Sequence, residues 1–270
     1  MAEPIAIDDP DDPRVAAYRD VRERDLVGRE GLFVAEGEVV LRLLARSALH
    51  RPVSLLIAQK RVAGLAEVIA ALSPDVPVYA AGQAVMDAVV GFPIHRGILA
   101  LGRRARTPSA ADLLASLPDQ ALVLALSAIA NHDNMGGLFR NAAAFGADAV
   151  ILDETCADPL YRKAIRVSVG AALIVPFARL APGEDLVSVL EGGGFETVSL
   201  SPRGATTLVE LGRAPRSAVV LGAEGPGLPA AVLSRTKAVR IPMADGFDSL
   251  NVAVTAGIVL HHLRFAGKSA

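Results

Sequence analysis

Residues 121–152 read ALVLALSAIANHDNMGGLFRNAAAFGADAVIL. The apolar run from Ala121 to Ser127 and the run DAVILD at the far end each predict a buried strand. Between them lies a helical pattern whose apolar stripe is Leu138, Ala142 and Phe145, with Asp133 or Asn134 placed to cap its start and Gly146 to end it. Strand, helix and strand in that order predict α/β architecture. Arg140 points away from the stripe, so the core has no use for it. Gly136 and Gly137 cost helix stability in the first turn, which implies that another backbone or a ligand comes close.

The same rhythm runs to the C-terminus. TVSLSP, AVVLGAE and AVRIPM predict further buried strands, and EDLVSVLEGG and SLNVAVTAGIVLHHLRF predict helices, giving a mostly parallel sheet. Upstream, RVAAYRDVRERDLVGREGLFVAEGEVVLRLLARS has helical spacing broken by GLFVAEG. VSLLIA, GLAEVIAAL, VPVYAA and HRGILALGRR then extend an α/β alternation over the first hundred residues. RRARTPSAADLLASLPDQ interrupts it with basic residues, Ser and prolines. The chain therefore divides into residues 1–105, a linker at 106–120 ending in a short helix, and a second domain at 121–270; residues 1–12 are expected to be flexible.

The 270 residues are 52% hydrophobic with a mean hydropathy of +0.41, enough for one large core or two modest ones. A formal net charge of -2 removes the strongly basic signature of nucleic-acid binding, so any RNA contact must come from local patches. Aromatic residues make up 4% and Trp is absent, which disfavours a base-stacking platform and favours recognition of ribose, phosphate and shape. Cys156 is the single cysteine, which excludes an internal disulfide and a cysteine-rich metal site, gives no catalytic duty, and suits a reducing cytoplasm. His95, His132, His261 and His262 lack zinc-ligand spacing, so no metal is expected. The acidic N-terminus lacks a leader's apolar region and the longest apolar run, Ala121 to Ala130, is too short to span a bilayer; the expectation is a cytoplasmic protein without a membrane partner.

Two further loops follow predicted strands. In VVLGAEGPGLP, residues 219–229, Gly222, Gly225 and Gly227 let the backbone approach a ligand or simply make a tight turn. The spacing is not G-x-G-x-x-G and Pro226 lacks an amide hydrogen, which argues against a dinucleotide cradle. In IPMADGFDSLNVAVTAGIVL, residues 241–260, Ser249 is placed as N-cap, Val252, Ala256, Val259 and Leu263 form a buried face, and Asn251 is free to bond a ligand. All three loops follow strands of one sheet, where open α/β folds bind ligands.

In order, N-x-G-x-x-x-R-x-A-x-x-F-G at Asn134 to Gly146, L-G-A-E-G-P-G-L at Leu221 to Leu228, and I-P-M with S-L-N-V at Ile241 to Val252 resemble the three motifs of the SpoU (TrmH) family of RNA ribose 2′-O-methyltransferases, in the SPOUT superfamily. The match spans Leu122 to Phe265, and DPLYRKAIRVSVGAALIVPFA is similar to the family's intervening segment. EGLFVAEGEVVLRLLARS and HRGILALGRR are similar to its small α/β, ribosomal-protein-like substrate-binding domain. His132 and Asp133 stand where the family often has Asp-Pro before the first motif's Asn.

The resemblance implies a C-terminal SPOUT domain with a deep trefoil knot, a feature nearly absent from proteins at large, and a homodimer formed through that domain. It implies S-adenosylmethionine as cofactor, with S-adenosylhomocysteine as product, in a pocket shaped by Leu221, Gly222, Glu224, Gly225, Ile241, Met243, Ser249, Leu250 and Asn251. The acceptor is a ribose 2′-hydroxyl of structured ribosomal or transfer RNA, and the catalytic set is Arg140 with Asn134, Glu224, Ser249 and Asn251. The family's arginine is proposed as general base. A guanidinium, with a pKa above ~12, stays protonated, so we read Arg140 as binding ribose-phosphate and stabilising the developing alkoxide. Arg162, Lys163 and Arg166 are candidates for gripping RNA phosphates, against a solvated helix face. The competing functions are a non-catalytic RNA-binding or assembly factor and a base methyltransferase; the arginine-containing first motif favours ribose.

Overall fold

In a computed structural model of the chain, which describes residues 3–19, 27–28, 30–223, 225–247 and 249–265, the apolar runs pair as two separate sheets. They belong to two units: Met1–Arg106 together with Leu160–Ile174, and Thr107–Pro159 together with Val175–Ala270.

In the first unit, β1 (Ile5–Ile7), β2 (Leu32–Glu36), β3 (His50–Ala58), β4 (Val78–Ala81) and β5 (Ile98–Arg104) lie in the order β1-β4-β3-β5-β2. β4 is parallel to β1 and β3, whereas β5 is antiparallel to β3 and β2. Helix α1 (Glu38–Ala45) buries Val40, Leu41 and Leu44, the face that its 3–4 spacing marks out. It is followed by α2 (Ala66–Ala70) and by α3 (Gln83–Val90), which stops at the left-handed Gly91. Within the stretch 1–12 expected to be flexible, Ile5–Ile7 pairs with Tyr79–Ala81, and Ile7 packs in the core with Leu56, Met86 and Leu99; Met1 and Ala2 lie outside the described residues. Three residues among acidic neighbours are too short to show a period, and a sheet edge supplied what the pattern lacked.

In the second unit, α4 (Ala110–Ala115) precedes β6 (Ala121–Leu126), α5 (His132–Ala144) and β7 (Ala149–Leu152). Helix α6 (Arg162–Val167) then departs from that unit. Sequence reading places residues 160–174 in the second domain, yet they pack with the first: Ser47 Oγ donates to the Leu173 carbonyl at 2.9 Å, and a Cβ on Gly170 would lie 2.8 Å from Leu43 Cδ1. An amphipathic period shows that a face is buried, not what it is buried against.

The chain returns through β8 (Phe177–Arg179), α7 (Leu186–Gly192), β9 (Glu196–Leu200), β10 (Thr206–Thr207), β11 (Arg216–Leu221), α8 (Ala230–Leu233), β12 (Lys237–Arg240) and α9 (Val252–Phe265). The sheet order is β10-β12-β9-β11-β6-β7-β8, and every neighbouring pair is parallel. Its interior strand β6 is buried throughout, as a sheet covered on both faces requires. The chain builds outward from β6 through β7 to β8 and then crosses to the other side, so the strand order switches between β6 and β11. Arg216, at the start of β11, donates to the carbonyls of Leu114, Leu117, Pro118 and Gly193 and stacks on Phe195. This ties down the segment that reads as a linker, with Ala110 and Leu114 in the core.

Candidate active site

Helix α5 is capped by Asn131, whose side chain accepts from the backbone N–H of Asp133 at 2.8 Å and of Asn134 at 3.2 Å. The expected caps, Asp133 and Asn134, already lie inside the helix, and a cap must have extended backbone geometry, as Asn131 does. Asn134 is thereby buried, and its Oδ1 accepts from Asn251 Nδ2 at 2.9 Å. Asn251 Oδ1 in turn accepts from the N–H of Ala253 at 2.9 Å and of Val254 at 3.3 Å, so Asn251 rather than Ser249 caps α9. Asn251 is therefore engaged within the protein where the sequence reads it as free for a ligand.

The glycine of the first turn now has a cause. A Cβ on Gly137 would lie 2.8 Å from Ala253 Cβ, and Asn141 Nδ2 donates to the Ala253 carbonyl. It is helix α9, not a ligand, that comes close. Arg140 remains exposed on α5, and Gly146, left-handed at φ +65°, closes the helix with the Ala147 N–H bonded back to Ala142.

After β11 the chain folds back on itself. Ala223 and Gly227 form a bridge, with Gly227 N–H donating to the Ala223 carbonyl at 3.1 Å. Gly225 and Gly227 have φ of +87° and +68°, and a Cβ on Gly222 would sit 2.6 Å from the Gly227 carbonyl carbon. The glycines here serve the turn itself.

Leu221, Gly222, Gly225, Ile241, Met243, Ser249 and Leu250 line one cleft of about 200 Å³. It opens at the carboxyl ends of β9, β11 and β12, beside the switch in strand order. Glu224 lies outside the described residues. Asn134, Arg140 and Asn251 are not in the lining, although Val252 and Thr255 from the first turn of α9 are. Sequence reasoning missed Leu200, Ser201 and Pro202. A buried strand ending in Ser-Pro on the same sheet edge was the signal that marked them.

The loop from β6 to α5 is held by Asp153. Its carboxylate accepts from the N–H of Ala128 at 2.7 Å, which sits at φ +56°, and from Thr155 and Cys156. Half-burial pushes this carboxyl up, but the bonds from Thr155, Ser127 and Ala128 outweigh it and hold the group below the usual carboxylate range. Burial and the neighbouring Asp153 charge push the Cys156 thiol up to about 12, so it stays protonated and unreactive at neutral pH.

Of the three phosphate candidates, Arg162 is committed elsewhere: Nε and Nη2 bond Glu36 Oε2 at 3.1 and 2.9 Å, and the guanidinium lies over Phe92. Lys163 and Arg166 are exposed, and all three stand in the first unit. Among the described residues no group of three or more metal-ligating side chains forms, and no helix is long and apolar enough to cross a membrane.

A wholly parallel sheet whose strand order switches beside a cleft at its carboxyl edge defines an α/β enzyme domain for a small ligand. The sequence pattern of the SpoU rRNA methylase family matches residues 121–261. A Mycobacterium bovis protein described as an uncharacterized tRNA/rRNA methyltransferase is 40% identical over 268 residues, covering 96% of this chain and 91% of its own. The crystal structure of an AdoMet-bound rRNA methyltransferase from Sinorhizobium meliloti superposes with a TM-score of 0.82 at 22% identity, over 98% of this chain and 99% of that one. An RNA 2′-O ribose methyltransferase superposes with a TM-score of 0.72 at 25% identity, over 96% and 97%. The chain belongs to the SpoU rRNA methylase family and is an RNA methyltransferase.

Proposed function

We propose that this protein transfers the methyl group of S-adenosylmethionine to a ribose 2′-hydroxyl of structured ribosomal or transfer RNA, releasing S-adenosylhomocysteine, as a cytoplasmic homodimer. The observation that carries this reading is the convergence of the Gly222 turn, the Ile241–Met243 segment and Ser249–Leu250 on one cleft, with the helix that carries Arg140 pinned through Asn134 and Asn251 to the helix that starts there.

The lining of the cleft suits the chemistry of the cofactor. Leu200, Ile241, Met243 and Leu250 offer apolar walls to a flat adenine, and the folded-back turn after Leu221 brings backbone polar groups to its edge. The bound sulfonium supplies a methyl group that is already an activated electrophile. The protein's task is alignment and charge. Arg140, exposed at the surface of α5, binds the ribose-phosphate and stabilises negative charge on the attacking oxygen; as the oxygen–methyl bond forms and the sulfur–methyl bond breaks, the 2′-hydroxyl proton passes to solvent. Asn134 and Asn251 fix the helix that presents it, and Ser249 with Glu224 completes the set. The resemblance of the fold to an RNA 2′-O ribose methyltransferase supports ribose over base.

The unit of Met1–Arg106 with Leu160–Ile174 acts as the RNA-binding domain, and the unit of Thr107–Pro159 with Val175–Ala270 carries the methyl transfer. The C-terminal segment forms the family's trefoil knot. The partner subunit covers the exposed apolar stripe of Val254, Ile258 and Phe265 on α9.

Transfer from methyl-labelled S-adenosylmethionine to unmodified ribosomal and transfer RNA, followed by nucleoside mass spectrometry, tests the reading with Arg140→Ala alongside. A 2′-O-methylnucleoside that vanishes in the variant is the expected result. A methylated base overturns the ribose assignment, and cofactor binding without transfer to either RNA overturns the substrate class.

A further inference from the structure

A cavity of about 710 Å³ opens in the first unit between the start of α1, the turn at Gln59–Arg61, the loop before β5 and helix α6. Its charged lining is Glu36, Glu38, Lys60, Arg61, Arg96 and Arg166, with His95 beside them. Both carboxylates are already matched. Arg162 holds Glu36 at 2.9 Å, and Glu38 is shared between Arg42 at 2.9 Å and Arg61 at 3.0 Å. Asp87, which feels the charges of Lys60 and His95, spends its Oδ1 on the Ile94 N–H and the Gln83 amide.

Lys60, Arg96 and Arg166 are left exposed, and among the described residues none of them is in an ion pair. Two features reinforce that surplus. Helix α1 begins on the cavity wall at Gly37 with no side chain capping it, so its positive end and first-turn residues Val39 and Val40 face the same space. Arg96 is laid across Gly37, where a Cβ would come within 3.0 Å of its Nη1, so the absence of a side chain there sets where the guanidinium lies. The cations come from three distant parts of the sequence and line a space far larger than one phosphate ion requires.

We propose that this groove, in the unit that does not hold the methyl-transfer cleft, binds the sugar–phosphate backbone of the RNA substrate through Lys60, Arg96 and Arg166. The assignment rests on the RNA methyltransferase reading above. It retains Arg166 from the phosphate candidates of the sequence, discards Arg162, and adds Lys60 and Arg96. The contact reads charge and backbone geometry, not base identity.

The test is the triple variant Lys60→Ala, Arg96→Ala, Arg166→Ala in the full chain. The probe is a fluorescein-labelled, unmodified transcript of whichever RNA accepts methyl, titrated by anisotropy from 0.05 to 0.3 M NaCl, about the range over which counterion release is read. The slope of log Kd against log salt should fall by about 2–3, and Kd near physiological salt should rise by roughly tenfold or more. KM for RNA should rise with it, while Kd for S-adenosylmethionine and kcat at saturating RNA stay at wild-type values. If the triple variant does not fold, Lys60→Glu and Arg96→Glu singly carry the test, each with a slope loss of about one. A folded variant with wild-type slope and Kd overturns the groove and leaves the methyltransferase reading standing. A wild-type protein that methylates and binds neither RNA overturns both.

Discussion

Gly222 has no room for even a methyl group, because the backbone of Gly227 and Leu228 lies within 2.6–2.8 Å of where a Cβ would stand. Gly222→Ala should therefore open the turn and raise Kd for S-adenosylmethionine by roughly tenfold or more, the equivalent of about 1.4 kcal/mol; isothermal titration reads it directly. Arg140 makes the complementary prediction. Arg140→Lys keeps the charge but loses the planar fork, so kcat should fall by at least about tenfold with cofactor affinity unchanged, and substantial retained activity would remove the need for a guanidinium. Asp153 links the site's loop to pH. Its folded pKa is lowered relative to the unfolded chain, which therefore binds more protons, so the stability it contributes is present above the ordinary carboxylate range and is lost as pH falls through the lowered value. Thermal melts from about pH 5 to 3 should show Tm falling with acid, and falling less in Asp153→Asn.

At the scale of elements, α5 and α9 are locked together by three contacts in line: Asn134 with Asn251, Gly137 with Ala253, and Asn141 with Ala253 and Gly257. Gly137→Val would force the helices apart and should cost about 1–3 kcal/mol in chemical denaturation. Because the same lock sets where α5 presents Arg140, kcat should fall more than cofactor affinity does. The strand pattern of the second sheet is legible in the sequence wherever apolar residues cluster between turn signals, as around β6, β7, β9, β11 and β12. β8 and β10 escape notice because three and two residues show no period. Caps are misread by two or three positions, Asn131 against Asp133 and Asn251 against Ser249, since Asn, Asp and Ser all suit the role and only backbone geometry decides. Glycines are the most ambiguous signal of the site: those of the first and second motifs answer to a neighbouring helix and to their own turn, both invisible in a linear string.

For the molecule as a whole, the exposed stripe on α9 predicts its own test. Val254→Glu with Ile258→Glu places charge on the face the proposed dimer would cover, and light scattering after size exclusion should show a dimer for the wild type and a monomer for the variant. The path of the chain has a further consequence, for the time course of synthesis. The first unit is interrupted after Arg106 and regains Leu160–Ile174 only after a strand, a helix and another strand of the second have been made. A nascent chain released as far as Arg106 therefore has Gly37 and Arg96 in place but lacks Arg166 and the helix that buries Glu36. At roughly 5–20 residues per second of translation, the first unit waits on the order of several seconds for its last piece. It cannot finish folding as an independent leading domain, and a ribosome that stalls before Ile174 leaves it with one wall of its cavity missing.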